Sequence, residues 1–173
     1  MDVLFGDLLL ACHKSIYRYA RALCRDANEA EELVQETFRR ALSARKRPTP
    51  LTLEAIRPWM FTILRNHWHN ELRHKKQEGD LDPDFDVPVV ENPETILSRR
   101  FLQSEVRDAL DALPPAYREI IVLREIEGLT YQQIADLLGC PAGTVMSRLA
   151  RARIRLRLIF VSLTPVTERL VRR

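Results

Sequence analysis

Apolar residues recur at three- and four-residue steps along most of this chain, and no stretch alternates apolar with polar as a half-buried strand would. Phe5, Leu8, Leu9, Cys12, Ile16, Ala20 and Leu23 form the first stripe and predict a helix over residues 5–23. Asn28 and Glu31 have capping-box spacing and predict the start of a second helix, with Ala30, Leu33, Val34, Thr37, Phe38 and Ala41 on one side. The loop RKRPTPLTL, residues 45–53, leads to a third helix predicted from Glu54 to Lys76. Its apolar side is Ile56, Trp59, Met60, Ile63, Leu64 and Trp68, and Pro58 is expected in the first turn, where a missing N–H costs least. Two more helices are predicted at residues 96–112 and 116–127, the latter opened by Pro114 and Pro115 and stopped by Gly128.

Residues 78–95, EGDLDPDFDVPVVENPET, follow neither period and hold three prolines. They read as a flexible linker. The expected fold is all-α: two small helical domains, residues 1–77 and 96–163, joined by an acidic linker at 78–95 and followed by a tail at 164–173.

The end of the second domain is the most specific stretch. Thr130 and Gln133 have the spacing of a capping box, Tyr131, Ile134, Ala135 and Leu138 make a stripe, Gly139 ends that helix, and Pro141 stands where the next should begin. Two helices joined by a short glycine-bearing turn are a helix-turn-helix, whose second helix enters the DNA major groove. At 100 degrees per residue, Val145, Leu149, Ala152, Leu156 and Ile159 fall on the buried side. Thr144, Ser147, Arg148, Arg151 and Arg155 fall on another, flanked by Arg153 and Arg157. Ala142 and Gly143 let a phosphate approach the helix N-terminus. Arginine can read guanine or hold phosphate, and Ser and Thr do either.

Charge sharpens this picture. The linker carries seven Asp and Glu with no Lys or Arg, so a chain of net charge +3 is a body of +10 interrupted by a strip of −7. Such a body suits a polyanion. The third helix presents Thr62, Arg65, Asn66, His69, Arg73 and Lys76 on one face, near Trp59, Phe61 and Trp68: cations, rings and an amide that can meet unstacked bases, or an aromatic core behind a solvated face. On the second helix the outward Glu32, Gln35, Glu36 and Arg39 are a mixed polar strip unsuited to DNA, and fit protein docking or plain solvent exposure. Cys12, Cys24 and Cys140 read as small apolar residues, and no spacing of Cys, His or carboxylate predicts a metal or cofactor. No nucleophile and base pair or phosphate loop predicts an enzyme. No apolar run is long enough for a bilayer and no signal peptide is visible, so a cytoplasmic protein without membrane insertion is expected.

In combination, ELVQETFRRAL (32–42), RPWMFTILRNHWHNELR (57–73) and the run from Ala109 to Arg153 resemble a bacterial RNA polymerase sigma factor of the extracytoplasmic-function group, over residues 10–160. The resemblance implies a non-catalytic subunit that brings core polymerase to a promoter. Residues 32–45, with Glu32, Leu33, Gln35, Glu36, Phe38 and Arg39, would dock on the beta-prime clamp. Trp59, Arg65, Asn66, His69 and Arg73, with the loop from Arg47 to Ile56, would read and melt the minus-10 element. Thr130, Gln133, Ala142, Gly143, Thr144, Ser147, Arg148, Arg151 and Arg155 would hold the minus-35 element. The beta flap and an anti-sigma factor are further implied partners. Met146 departs from the group, where Lys or Arg is common. A stand-alone helix-turn-helix regulator is the alternative, but it has no need of the first domain's docking strip.

Overall fold

A computed structural model describes residues 3–24, 26–77 and 106–163 of the 173. The linker, residues 96–105 of the fourth predicted helix, and the tail lie outside the described residues. All described elements are helical. They are α1 (Val3–Ala11), α2 (His13–Leu23), α3 (Ala27–Ser43), α4 (Leu53–Gln77), α5 (described over 106–111), α6 (Pro115–Ile121), a π-helical turn (Val122–Ile126), α7 (Tyr131–Leu138) and α8 (Ala142–Leu163).

The first predicted helix is two. The Cys12 N–H bonds to the Leu9 carbonyl, three residues back, at 3.0 Å, which tightens the chain by a residue and starts α2. The stripe survives this break, because Phe5, Leu9, Cys12 and Ile16 are all buried. The cap of α3 lies two residues before the predicted Asn28: Asp26 Oδ1 accepts the Asn28 and Glu29 N–H groups at 2.8 and 3.0 Å. Pro58 is the sixth residue of α4, beyond the first turn, since the helix opens at Leu53 with the Thr52 carbonyl accepting the Ile56 N–H at 2.9 Å. The helix therefore absorbs one missing backbone bond. Pro141 precedes α8 rather than opening it, and its carbonyl accepts from Thr144 and Val145.

Helices α1 to α4 bury Phe5, Leu9, Ile16, Leu33, Ile56, Met60, Phe61 and Leu64 in one core. The second domain buries Leu113, Ile120, Leu123, Leu129, Ile134, Val145, Leu149 and Ala152 in the same cluster. Each of these side chains except the small Ala152 is worth ~1.5–3 kcal/mol on burial. Sequence alone left the mutual placement of the domains open; here they pack together, α2 against α6 and the π turn, α4 against α7. The clustering of buried side chains is continuous across that seam.

Candidate nucleic-acid and polymerase interfaces

The second domain holds its outer helix by local devices legible in the chain. Thr130 Oγ1 accepts the Gln133 N–H at 3.1 Å while Gln133 Oε1 accepts the Thr130 N–H at 2.8 Å, so these two predicted DNA contacts are first the capping box of α7. Gly139 follows at φ 66°, ψ 37°, left-handed geometry that a side chain would resist, and the Cys140 N–H returns to the Ala135 carbonyl at 3.1 Å. Upstream, Arg124 closes the approach to α7, donating to the Leu129 carbonyl at 2.7 Å with its guanidinium 4.7 Å from the Tyr131 ring centroid.

These constraints fix the rotation of α8. Val145, Leu149 and Ala152 are buried, and Leu156 and Ile159 half-buried, as the periodicity predicts. Ser147, Arg151 and Arg155 are exposed; Thr144 and Arg148 are half-buried beside them; Gly143 opens the helix bare of any side chain. Among the described residues no carboxylate forms an ion pair with Arg148, Arg151 or Arg155. Arg153 differs: it forks onto Glu125 of the π turn, with Nε 3.0 Å from Oε1. Met146 is 51% exposed at the edge of the basic face.

The first domain departs more from expectation. The α4 face predicted to be one continuous polar surface is divided. Asn66 and Arg73 are exposed, but Arg65 and His69 turn toward the second domain. Arg65 Nε donates to Glu119 Oε1 at 3.1 Å and Nη1 to the Leu137 carbonyl at 3.2 Å. Burial, with Arg65 next in effect, holds the His69 imidazole below the ordinary histidine range. Phe61 is fully buried, edge-on to Tyr19 at 5.1 Å between centroids, and cannot serve as a stacking platform. Trp59 is half-buried and tilted against Phe5, whose ring also carries the Arg47 guanidinium at 4.0 Å.

On α3, Leu33 is 3% exposed, on the buried side where the apolar stripe places it. Phe38 is half-buried with its ring 5.8 Å from His13. Glu32, Gln35 and Arg39 face outward, and Gln35 borders a cleft of about 360 Å³ with His13, Tyr17, Glu31 and Val34. Glu36 accepts from both Arg39 and Arg40 at 2.6 Å, and those hydrogen bonds hold its carboxyl down to about 2. The polar strip of α3 thus has a pre-paired charge at its centre.

Four residues of the seam were not anticipated. The Tyr19 hydroxyl donates to Glu119 Oε1 at 2.7 Å, and Arg18 Nε to Glu127 Oε1 at 2.6 Å. Tyr19 sits three residues after Ile16 on the apolar stripe, and that polar atom in a buried register was the available signal.

The described residues thus pair a helix-turn-helix carrying an acid-free basic face with a second helical domain that exposes a mixed polar strip on α3. Comparison with known proteins gives the family. The model of Sigma-70 region 2 matches residues 8–78 and that of Sigma-70, region 4 matches residues 103–156. The chain is 34% identical over 157 residues to the ECF RNA polymerase sigma factor EcfG of Rhodopseudomonas palustris, covering 87% of this chain and 81% of that protein. To SigE of Mycolicibacterium smegmatis it is 38% identical over 147 residues, covering 82% of this chain but only 56% of that protein's length. Its fold matches the sigma factor RpoE, solved in complex with the anti-sigma factor NepR from Bartonella quintana, with TM-score 0.71, 30% identity and coverage of 93% of this chain and 98% of that one. The chain belongs to the ECF RNA polymerase sigma factors.

Proposed function

We propose that this chain binds core RNA polymerase, directs it to a promoter and opens the DNA there, without catalysing a reaction itself, and that it works in the cytoplasm. The observation that carries this reading is the exposed row of Ser147, Arg151 and Arg155 with Arg148 on α8, unopposed by acid, in a chain that also exposes Gln35 and Arg39 on a separate helix. The first surface suits a duplex major groove and the minus-35 element. The second suits a protein, the beta-prime clamp. Asn66 and Arg73 on α4, with Trp59 and the loop from Arg47, are the side chains for a minus-10 strand whose bases have left the stack. The beta flap completes the contacts with core enzyme.

An anti-sigma factor is the expected regulator. RpoE of Bartonella quintana was solved with one, and CnrH, which shares this fold at TM-score 0.60, was solved with the cytosolic domain of CnrY. Dividing the labour between α3 and α8 gives a direct test. Gln35→Ala with Glu36→Ala is expected to weaken assembly with core polymerase while leaving the affinity of the chain for a minus-35 duplex intact. Equal loss of both would overturn the assignment.

A further inference from the structure

The loop between α3 and α4 is neither helix nor strand, so its shape depends on where it is tied. At one end the Ala44 N–H returns to the Ala41 carbonyl at 3.3 Å, and at the other the Thr52 N–H meets the Pro50 carbonyl at 3.0 Å. Between them the half-buried Leu51 packs against the core, and Arg47 lays its guanidinium 4.0 Å from the centroid of the Phe5 ring. Pro48, Thr49 and Pro50 are all that separates these two anchors, and the pyrrolidine ring fixes φ at two of the three. With Arg47 and Leu51 held, the tip has few conformations left to lose when a strand arrives.

Phe5 is what holds Arg47. Its ring is wholly buried, and among the described residues no carboxylate forms an ion pair with Arg47. The same ring tilts against Trp59 at 6.2 Å between centroids. One side chain of α1 thus touches both the loop and an α4 ring assigned to the minus-10 strand, and it lies ahead of residues 8–78, the stretch that matches Sigma-70 region 2. A leucine would fill much of the same apolar space, but an aromatic face also attracts a guanidinium. We propose that Phe5 is a positioning residue for minus-10 recognition: buried and out of reach of DNA, it acts by pinning Arg47, so that the loop presents one shape to the unstacked strand. The inference rests on the promoter-binding reading above and gives α1 a part in it. Stacking occupies only a face of the Arg47 guanidinium, and its in-plane N–H groups stay available to a phosphate.

The test is a double-mutant cycle in the full chain: Phe5→Leu, Arg47→Met and the two together, with Phe5→Tyr as the variant that keeps the ring. Each is assembled with core polymerase and measured by fluorescence anisotropy on two oligonucleotides, the single strand that the parent holoenzyme selects from a random-sequence pool and a scrambled strand of the same composition. Phe5→Leu is expected to lower the ratio of the two affinities about threefold, the worth of one cation–π contact. Arg47→Met lowers it at least as far, the pair lowers it no further than Arg47→Met alone, and Phe5→Tyr keeps most of it. NMR exchange of the Thr52 amide reads the loop in the free chain, without DNA, and is expected to quicken in both single variants. Losses that add, a Phe5→Leu ratio equal to the parent's, or unchanged Thr52 exchange overturn the pin. A fall in helix content by circular dichroism, or an equal loss in Phe5→Tyr, makes Phe5 a packing residue only and overturns it too. If the parent holoenzyme prefers no strand, the minus-10 reading falls, and the Thr52 exchange still decides whether Phe5 holds the loop.

Discussion

Arg151 and Arg153 lie two residues apart on α8 and carry the same charge, but the structure gives them opposite fates. Arg153 is held by Glu125, whereas Arg151 meets only its own helix, donating to the Ser147 carbonyl at 3.3 Å. Replacing each in turn with alanine therefore separates charge from position. If Arg148, Arg151 and Arg155 each neutralise one phosphate, the logarithm of affinity falls with the logarithm of salt at a slope of about −2.7 from these contacts, and a fourfold rise in salt weakens binding ~40-fold. With Arg151 gone the slope from the remaining two is about −1.8, and the same rise costs ~12-fold. Arg153→Ala should leave the slope at its original value, because its counter-charge is Glu125 rather than released cation. Fluorescence anisotropy with a minus-35 duplex at several salt concentrations measures this. Equal slopes for the parent and Arg151→Ala, or an equal drop for Arg151→Ala and Arg153→Ala, would refute the assignment of the DNA-facing side.

Other consequences concern stability and charge. Leu149→Ala removes a fully buried side chain from the core that orients α8, and should lower unfolding stability by about 2–5 kcal/mol in a denaturant titration. Gly139→Ala meets no steric neighbour but must adopt φ 66°, so it should cost about 1–2 kcal/mol from backbone conformation alone. For His69, burial and then Arg65 lower the imidazole pKa, with Glu119 opposing and Arg73 adding to the effect. The unfolded chain then takes up this proton first as pH falls, so stability should be flat above about 6.5 and decline below it until the folded value is passed. Imidazole NMR resonances of His69 titrating at or above the ordinary value would contradict that environment.

What the sequence disclosed depended on whether a feature is local. The capping box at Thr130 and Gln133, the left-handed Gly139, and the burial of Val145, Leu149 and Ala152 follow from spacing within one or two turns, and all stand as read. The start of α3 was misplaced because Asp26 and Asn28 are both good caps, and only geometry decides which side chain meets the free N–H groups. The face of α4 was misjudged for a different reason. Periodicity places Arg65, Asn66, His69 and Arg73 together, but it cannot reveal that a second domain covers Arg65 and His69 and leaves Asn66 and Arg73 exposed. Leu33 shows the local rule holding on α3: its stripe is buried as spacing predicts, while Glu32 and Gln35 on the outer side are exposed.

The central claim is that this chain makes core polymerase initiate at particular promoters. Run-off transcription with purified core polymerase, the full chain and a library of genomic fragments tests it most directly. Discrete transcripts are predicted from a subset of fragments, present only when the chain is added and lost with Arg148→Ala combined with Arg151→Ala. Transcription that is independent of the chain on every fragment, alongside intact binding to duplex DNA, would contradict the claim and mark the protein as a regulator that binds DNA without polymerase.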